Sequence, residues 1–298
     1  MTDAWVTVIV PTRRRPAFLV EALDSVRRQT FRAWRCVVAV DGDDPETIGV
    51  LNAIEAAEPR ISHLVVRDGG SAARVRNAGL ARVDTPCVAF LDDDDVWLED
   101  KLARQHAVFV AHPRTVLVCC QVRTFGDQDA LWPVGPLPEV LDADLLCAGN
   151  EVATSTVVAR TADVRAAGGF DPRFVPAEDY DLWLSLTGAG EVRYLGTPLS
   201  RYRIHAGGVS RDDWAMLRAI ERLLTRHHRR GICSSSRYWS RLRTLYSHRR
   251  HLSGSRLGRA WWGLRRWTAD LRLSLADAAR SSRRRSAGRT RPPDPPRR

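Results

Sequence analysis

Four consecutive aspartates, Asp92-Asp93-Asp94-Asp95, follow the apolar run Cys87-Val88-Ala89-Phe90-Leu91. Carboxylates packed this closely at the end of a buried strand repel one another and do not all ionise without compensation. A hard divalent cation such as Mg²⁺ or Mn²⁺ can supply it, because these ions prefer oxygen ligands and bridge to substrate phosphates. Alternate residues of an extended chain face one side, which would set Asp92 and Asp94 together. An acidic turn capping a helix that starts near Trp97 would use the same residues. A second cluster, Glu178-Asp179-Tyr180-Asp181, precedes Leu182-Trp183-Leu184 at a predicted helix start. Acidic residues there also complement a helix dipole. Asp41-Gly42 closes a further apolar run, Cys36 to Val40, and is equally a common turn pair.

The elements that must position these groups alternate along the first half of the chain. Val6 to Val10 is a β-branched run stopped by Pro11, and Phe18, Leu19, Ala22, Leu23 and Val26 recur at helical spacing between Pro16 and Gln29. Cys36 to Val40 predicts the next strand, Ile48, Leu51 and Ile54 the next helix, His63 to Val66 a third strand, Ala72 to Leu80 a third helix, and Cys87 to Leu91 a fourth strand. Such alternation predicts an α/β fold of βαβ units around a largely parallel sheet with flanking helices. Ligands of these sheets gather at the carboxyl ends of the strands, where Asp41 and the four aspartates both lie. Beyond residue 115 the pattern is mixed: strands over Thr115 to Val122 and Thr154 to Ala159, a loop over Leu131 to Pro138, and a helix over Ala177 to Leu186.

Together these features resemble family 2 inverting glycosyltransferases, which have the GT-A-type, Rossmann-like nucleotide-sugar-binding fold. The motifs run in order: Val-Ile-Val-Pro-Thr-Arg (8–13), Ser-Val-Arg-Arg-Gln-Thr (25–30), Asp41-Gly42, Arg76-Asn77-Ala78-Gly79, Phe-Leu-Asp-Asp-Asp-Asp-Val-Trp-Leu (90–98), Gly-Gly-Phe-Asp (168–171), Glu178 to Trp183, and Tyr202-Arg203-Ile204-His205. The resemblance implies transfer of a sugar from a nucleoside-diphosphate sugar, commonly of uridine, to an acceptor hydroxyl on a saccharide, lipid-linked or small molecule, as in cell-envelope or polysaccharide biosynthesis. It places Pro11, Thr12 and Asp41 around the base and Arg76 near the donor nucleotide. Asp92 to Asp94 match the DxD motif, with Asp94 and His205 on a Mg²⁺ or Mn²⁺ ion and Asp92 and Asp93 toward the donor. Asp179 matches the catalytic base. Two departures stand out: Val40 occupies the place of a second aspartate beside Asp41, and Arg13-Arg14-Arg15 replaces an aromatic-asparagine pair.

Charge divides the chain. Residues 1–217 hold 23 Lys and Arg against 31 Asp and Glu, whereas residues 218–298 hold 23 Arg against four acids. The predicted organisation is a catalytic domain over 1–212, a basic helical extension over 213–280 and a disordered Arg/Pro-rich tail over 281–298. Trp261-Trp262-Gly263-Leu264-Arg265-Arg266-Trp267 interleaves aromatics with guanidinium groups, a pattern suited to a membrane interface, to packing on the catalytic domain or to a dimer contact. A nucleic-acid arm would share the charge, but no helix-turn-helix, zinc-finger or RNP signature accompanies it, and no specific nucleic acid is expected. Metal-dependent nucleotidyl transfer would share the aspartates, yet no Gly-rich phosphate loop follows the first strand. Cys36, Cys87 and Cys119 read as small buried hydrophobes, and the six cysteines have no CxxC spacing. With no secretion signal or bilayer-length apolar run, the expected location is cytoplasmic, peripheral at the inner membrane face if the tail binds lipid.

Overall fold

The computed structural model describes residues 4–205 and 213–287, with side chains to residue 280. Its amino-terminal half follows the predicted alternation: β1 (Val6–Thr12), α1 (Pro16–Arg27), β2 (Trp34–Asp41), α2 (Pro45–Ala57), β3 (Ile61–Val66), α3 (Ala72–Leu80) and β4 (Cys87–Phe90). These strands lie parallel in the order β3-β2-β1-β4. Each of β1, β2 and β4 is buried along almost its whole length, which is why the sequence reads as continuous apolar runs rather than as alternation. Chain order reverses at β1, with β2 and β3 on one side and β4 on the other. That crevice is where ligands bind in open α/β sheets.

The sheet continues through β5 (Val96–Trp97), α4 (Lys101–Ala111), β6 (Thr115–Gly126), β7 (Leu131–Trp132), β8 (Val140–Leu141), α5 (Ala143–Ala148), β9 (Val158–Arg160), α6 (Thr161–Ala166), α7 (Glu178–Leu186) and β10 (Glu191–Ile204). The order after β4 is β9-β6-β10-β5. Strand β9 is antiparallel to both β4 and β6, whereas β10 runs parallel to β6. Three local expectations change here. Thr154–Thr156 is a 3₁₀ turn, not the start of a strand. Asp92–Asp95 leads into β5 rather than into a helix at Trp97, and the helix begins at Lys101. The predicted loop at 131–138 contributes a two-residue strand to the edge of β6.

The only lysine, Lys101, is wholly buried at the start of α4. Its ammonium lies 4.0 Å from the centroid of the Trp97 ring and donates to Gln105 Oε1 at 2.7 Å. Burial pushes its ionisation down to about 8. Cys36, Cys87, Cys119 and Cys120 are buried free thiols, as small apolar residues would be.

Contacts divide the chain into Met1–Leu223 and Leu224–Arg298. The division falls within α8 (Asp213–Arg229), not at residue 212. The second unit contains α9 (Ser235–Leu252) and α10 (Arg256–Ala287). Helix α10 therefore continues into the stretch expected to be disordered, and residues 288–298 of that expectation lie outside the described residues. Among the described residues no helix is long and apolar enough to cross a membrane.

Candidate active site

The end of β4 presents the aspartates through a turn. Leu91 N–H still donates to Ile9 O at 3.1 Å, and Asp95 N–H then folds back to Asp92 O at 3.1 Å. Asp93 and Asp95 are buried, while Asp92 and Asp94 keep partial access. Asp92 and Asp94 thus lie in a turn, not on the extended strand that the alternation of side chains assumed. Asp93 turns inward: its Oδ2 accepts the Thr12 hydroxyl at 2.7 Å, and Arg15 Nη1 lies 3.5 Å from its Oδ1. Burial pushes its carboxyl up to about 6 despite the Thr12 bond. Asp95 is raised further by burial and the neighbouring aspartates, and it accepts Arg203 N–H at 2.9 Å.

Asp94 Oδ2 receives two cationic or polar neighbours. His205 Nε2 lies 3.0 Å away from the end of β10, and Arg15 Nη1 donates at 2.8 Å from just before α1. His205 and Asp94 are therefore brought together as expected. Arg15 was not anticipated at this position. Its only signal was the triple arginine after Pro11-Thr12, because 79 residues separate the partners.

Asp179 sits in the first turn of α7, half-buried. Tyr180 N–H donates to Oδ1 at 2.6 Å, and Thr154 Oγ1 and Asn150 Nδ2 approach Oδ2 at 3.1 and 3.4 Å. Burial, then the adjacent Glu178 charge, push its carboxyl up to about 6, with Arg76 opposing. Near neutral pH such a group is ionised yet retains useful proton affinity.

Two bridges join this helix to the aspartate turn. Arg76, buried on α3, donates from Nη2 to Asp92 Oδ1 at 2.6 Å and from Nη1 to Glu178 Oε1 at 3.0 Å. Burial opposes its charge, but Asp92 and Glu178 outweigh that effect and hold the guanidinium protonated. The second bridge is the 3₁₀ turn, where Thr154 holds Asp179 while Ser155 Oγ accepts Asp92 N–H at 3.1 Å. Arg76 was expected near the donor; here both of its terminal nitrogens are engaged inside the site, which makes it a clamp. Thr154 and Ser155 were missed, because a threonine-serine run carries no signal of its partners.

Asp41 lies apart, at the end of β2. Gly42 turns the chain with φ +82°, and Gly70 N–H donates to Asp41 Oδ1 at 3.2 Å. A Cβ on Gly69 would lie 2.1 Å from the same oxygen, so only glycine permits that approach. Arg13 Nη1 is 3.7 Å from Asp41 Oδ2, leaving this carboxylate at the mouth of a cleft lined also by Arg14, Gly42, Arg67 and Gly70. Pro11 and Thr12, at the end of β1, stand between this cleft and the aspartates.

Residues 7–155, half of the chain, match the family model described as glycosyl transferase family 2. The chain belongs to that family. This glycosyltransferase is 25% identical over 225 residues to the UDP-Glc:alpha-D-GlcNAc-diphosphoundecaprenol beta-1,3-glucosyltransferase WfgD of Escherichia coli, covering 73% of this chain and 84% of the relative. It is 26% identical over 227 residues to the putative teichuronic acid biosynthesis glycosyltransferase TuaG of Bacillus subtilis, covering 73% and 89%. Among solved structures, S. aureus TarS 1-349 in complex with UDP-GlcNAc superposes with a TM-score of 0.65 at 14% identity, over 93% of this chain and 92% of that one. The mannosyltransferase PcManGT of Pyrobaculum calidifontis, bound to GDP-Man and Mn²⁺, gives 0.61 at 17% identity over 95% and 76%. At those identities the likeness establishes the GT-A-type fold of the glycosyltransferase.

Proposed function

We propose that this glycosyltransferase moves a sugar from a uridine diphosphate sugar to a saccharide hydroxyl with inversion at the anomeric carbon, and that Asp179 is the base. The observation that carries this reading is the double bridge between Asp179's helix and Asp92, through Arg76 and through Thr154-Ser155. It holds a proton acceptor of raised affinity in fixed relation to the accessible aspartates. A donor diphosphate lying toward Asp92 and Asp94, with its base in the Asp41 cleft, would span the ends of β1, β2 and β4.

In the proposed step Asp179 takes the acceptor hydroxyl proton as that oxygen bonds to the anomeric carbon. The bond from that carbon to the diphosphate oxygen breaks, and the electron pair leaves with the nucleoside diphosphate. One displacement inverts the centre, and no second carboxylate is required as a covalent nucleophile.

The donor set suits Mg²⁺ or Mn²⁺. Among the described residues no three His, Cys, Asp or Glu side chains converge into a preformed metal cage. Mg²⁺ in phosphate sites commonly binds through one or two carboxylates plus substrate oxygens and water; Asp94 would supply one such carboxylate, with the His205 imidazole beside it as a nitrogen donor. When bound, the ion would neutralise charge growing on the leaving diphosphate. The WfgD relative is named for a lipid-diphosphate acceptor, which supports a lipid-linked saccharide as the acceptor here.

Isothermal titration of UDP, dTDP and GDP, with and without Mn²⁺, tests the donor site. UDP binding that Mn²⁺ strengthens in the native protein, but not in Asp94→Ala, is expected. Failure of all three nucleotides to bind in the presence of Mn²⁺ would refute the donor site. Preferential binding of GDP or dTDP would refute the uridine assignment alone.

A further inference from the structure

The proposed chemistry makes no use of the second unit, and among the described residues one face of α10 there is left exposed. On its inner side Trp262 stacks on Tyr246 of α9 at 5.9 Å between ring centroids, and Arg265 Nη2 donates to Tyr246 Oη at 2.8 Å. Ala269 is completely buried on the same side, and Asp277 accepts the Ser236 hydroxyl at 2.7 Å. Turned away from these contacts, Leu257, Trp261, Leu264, Trp267, Leu271 and Leu275 are exposed by 85, 55, 54, 61, 49 and 59%. Every step between them is three or four residues, so they form one stripe about 27 Å long. The apolar surface they leave in water is on the order of 700 Å², beyond the largest patch of a typical monomer.

Charge selects the occupant. The unit Leu224–Arg298 carries 21 arginines and three aspartates, with no glutamate or lysine. Arg256, Arg259 and Arg272 are exposed on α10 itself. A second copy laid on this stripe would bring a like-charged unit against it, a repulsive pairing. A nucleic acid would match the charge but offers the leucines no apolar surface in its phosphate backbone. An anionic bilayer satisfies both demands: its interface takes Trp and Leu at the acyl boundary and its phosphates take guanidinium groups.

We propose that this face of α10 docks the protein in the interface of an anionic membrane, lying along the surface without crossing it. The test is flotation of the full chain with vesicles of mixed phosphatidylglycerol and phosphatidylcholine, against vesicles of phosphatidylcholine alone. The native protein is expected to float with the anionic vesicles and to be released by salt in part. The combined variant Trp261→Ser, Leu264→Ser, Trp267→Ser should lose at least about tenfold in partitioning, since more than half of each side chain it removes faces water. A second variant, Arg256→Gln, Arg259→Gln, Arg272→Gln, should weaken binding and reduce its salt sensitivity. Both should retain the native far-ultraviolet circular dichroism. No flotation of the native protein, or equal flotation of the apolar triple variant, overturns the proposal. So does self-association that the apolar variant abolishes while vesicle binding is absent in both. Tight, sequence-dependent oligonucleotide binding that outcompetes vesicles would instead assign the surface to nucleic acid.

Discussion

Replacing Asp179 by asparagine should make the protein more stable and less active at once. The carboxyl is raised from the ordinary 3.8 to about 6, chiefly by burial and then by Glu178. Because its folded-state ionisation lies above its unfolded value, the folded state favours the protonated acid. That contribution to stability is complete below pH ~4 and is lost as pH rises through about 6. At pH 8 the native protein therefore holds a carboxylate that the fold disfavours, by a ceiling of about 3 kcal/mol. Asp179 is only half-buried, and access to water reduces the expected figure to about 1–2 kcal/mol. Asparagine occupies the same volume, and its carbonyl can still accept Tyr180 N–H. Thr154 can rotate to accept from the new amide, while the long 3.4 Å contact from Asn150 is lost.

The assay is urea unfolding of the nucleotide-free and metal-free protein, followed by circular dichroism at intervals from pH 4 to pH 8. The variant should match the native protein near pH 4 and gain progressively, with the gain levelling above pH ~7. Turnover should fall by about two to four orders of magnitude, the usual share of a general base. A constant gain across the pH range would mean that packing or hydrogen bonding, not charge, is responsible. No gain at pH 8 would refute the perturbed carboxyl, and undiminished turnover would refute the base.

Glu178→Gln keeps an acceptor for Arg76 but deletes the charge beside Asp179, so the acid limb of kcat/KM against pH should move down by up to about one pH unit. Arg76→Met should move that limb up and destabilise the fold by about 3–5 kcal/mol, measured by the same unfolding assay, because it strands Asp92 and Glu178 without their counter-charge. Gly69→Ala would place a methyl 2.1 Å from Asp41 Oδ1, and a loss of at least about tenfold in UDP affinity by titration is expected from the displaced carboxylate. His205→Ala should weaken Mn²⁺ binding in the nucleotide complex by about tenfold, read by electron paramagnetic resonance of free Mn²⁺.

What was legible beforehand follows from where each interaction's partners lie. Strands β1, β2 and β4 could be read because burial on both faces demands an unbroken apolar run, and Asp41 and Asp92 could be placed because each terminates one. Strand β10 was not read, although it is the longest. It contains Gly196 and Pro198, its pairing with β6 slips register around Leu195–Ser200, and burial along it is irregular, so neither periodicity survives. The Thr154–Thr156 turn misled for the opposite reason: small hydroxyl residues next to Val157 and Val158 look like a strand start, yet Ser155 is spent on Asp92 and Thr154 on Asp179. Arg15 and Arg76 show the same limit. Their roles as clamps on Asp94, Asp92 and Glu178 exist only after α1, α3 and α7 have been brought to the ends of the strands. Motif order names the carboxylates, whereas the groups that set their ionisation are supplied by long-range packing. Proton affinity at Asp179 is accordingly a property of the assembled sheet, and substitutions at Glu178 or Arg76 should tune it without touching the carboxylate itself.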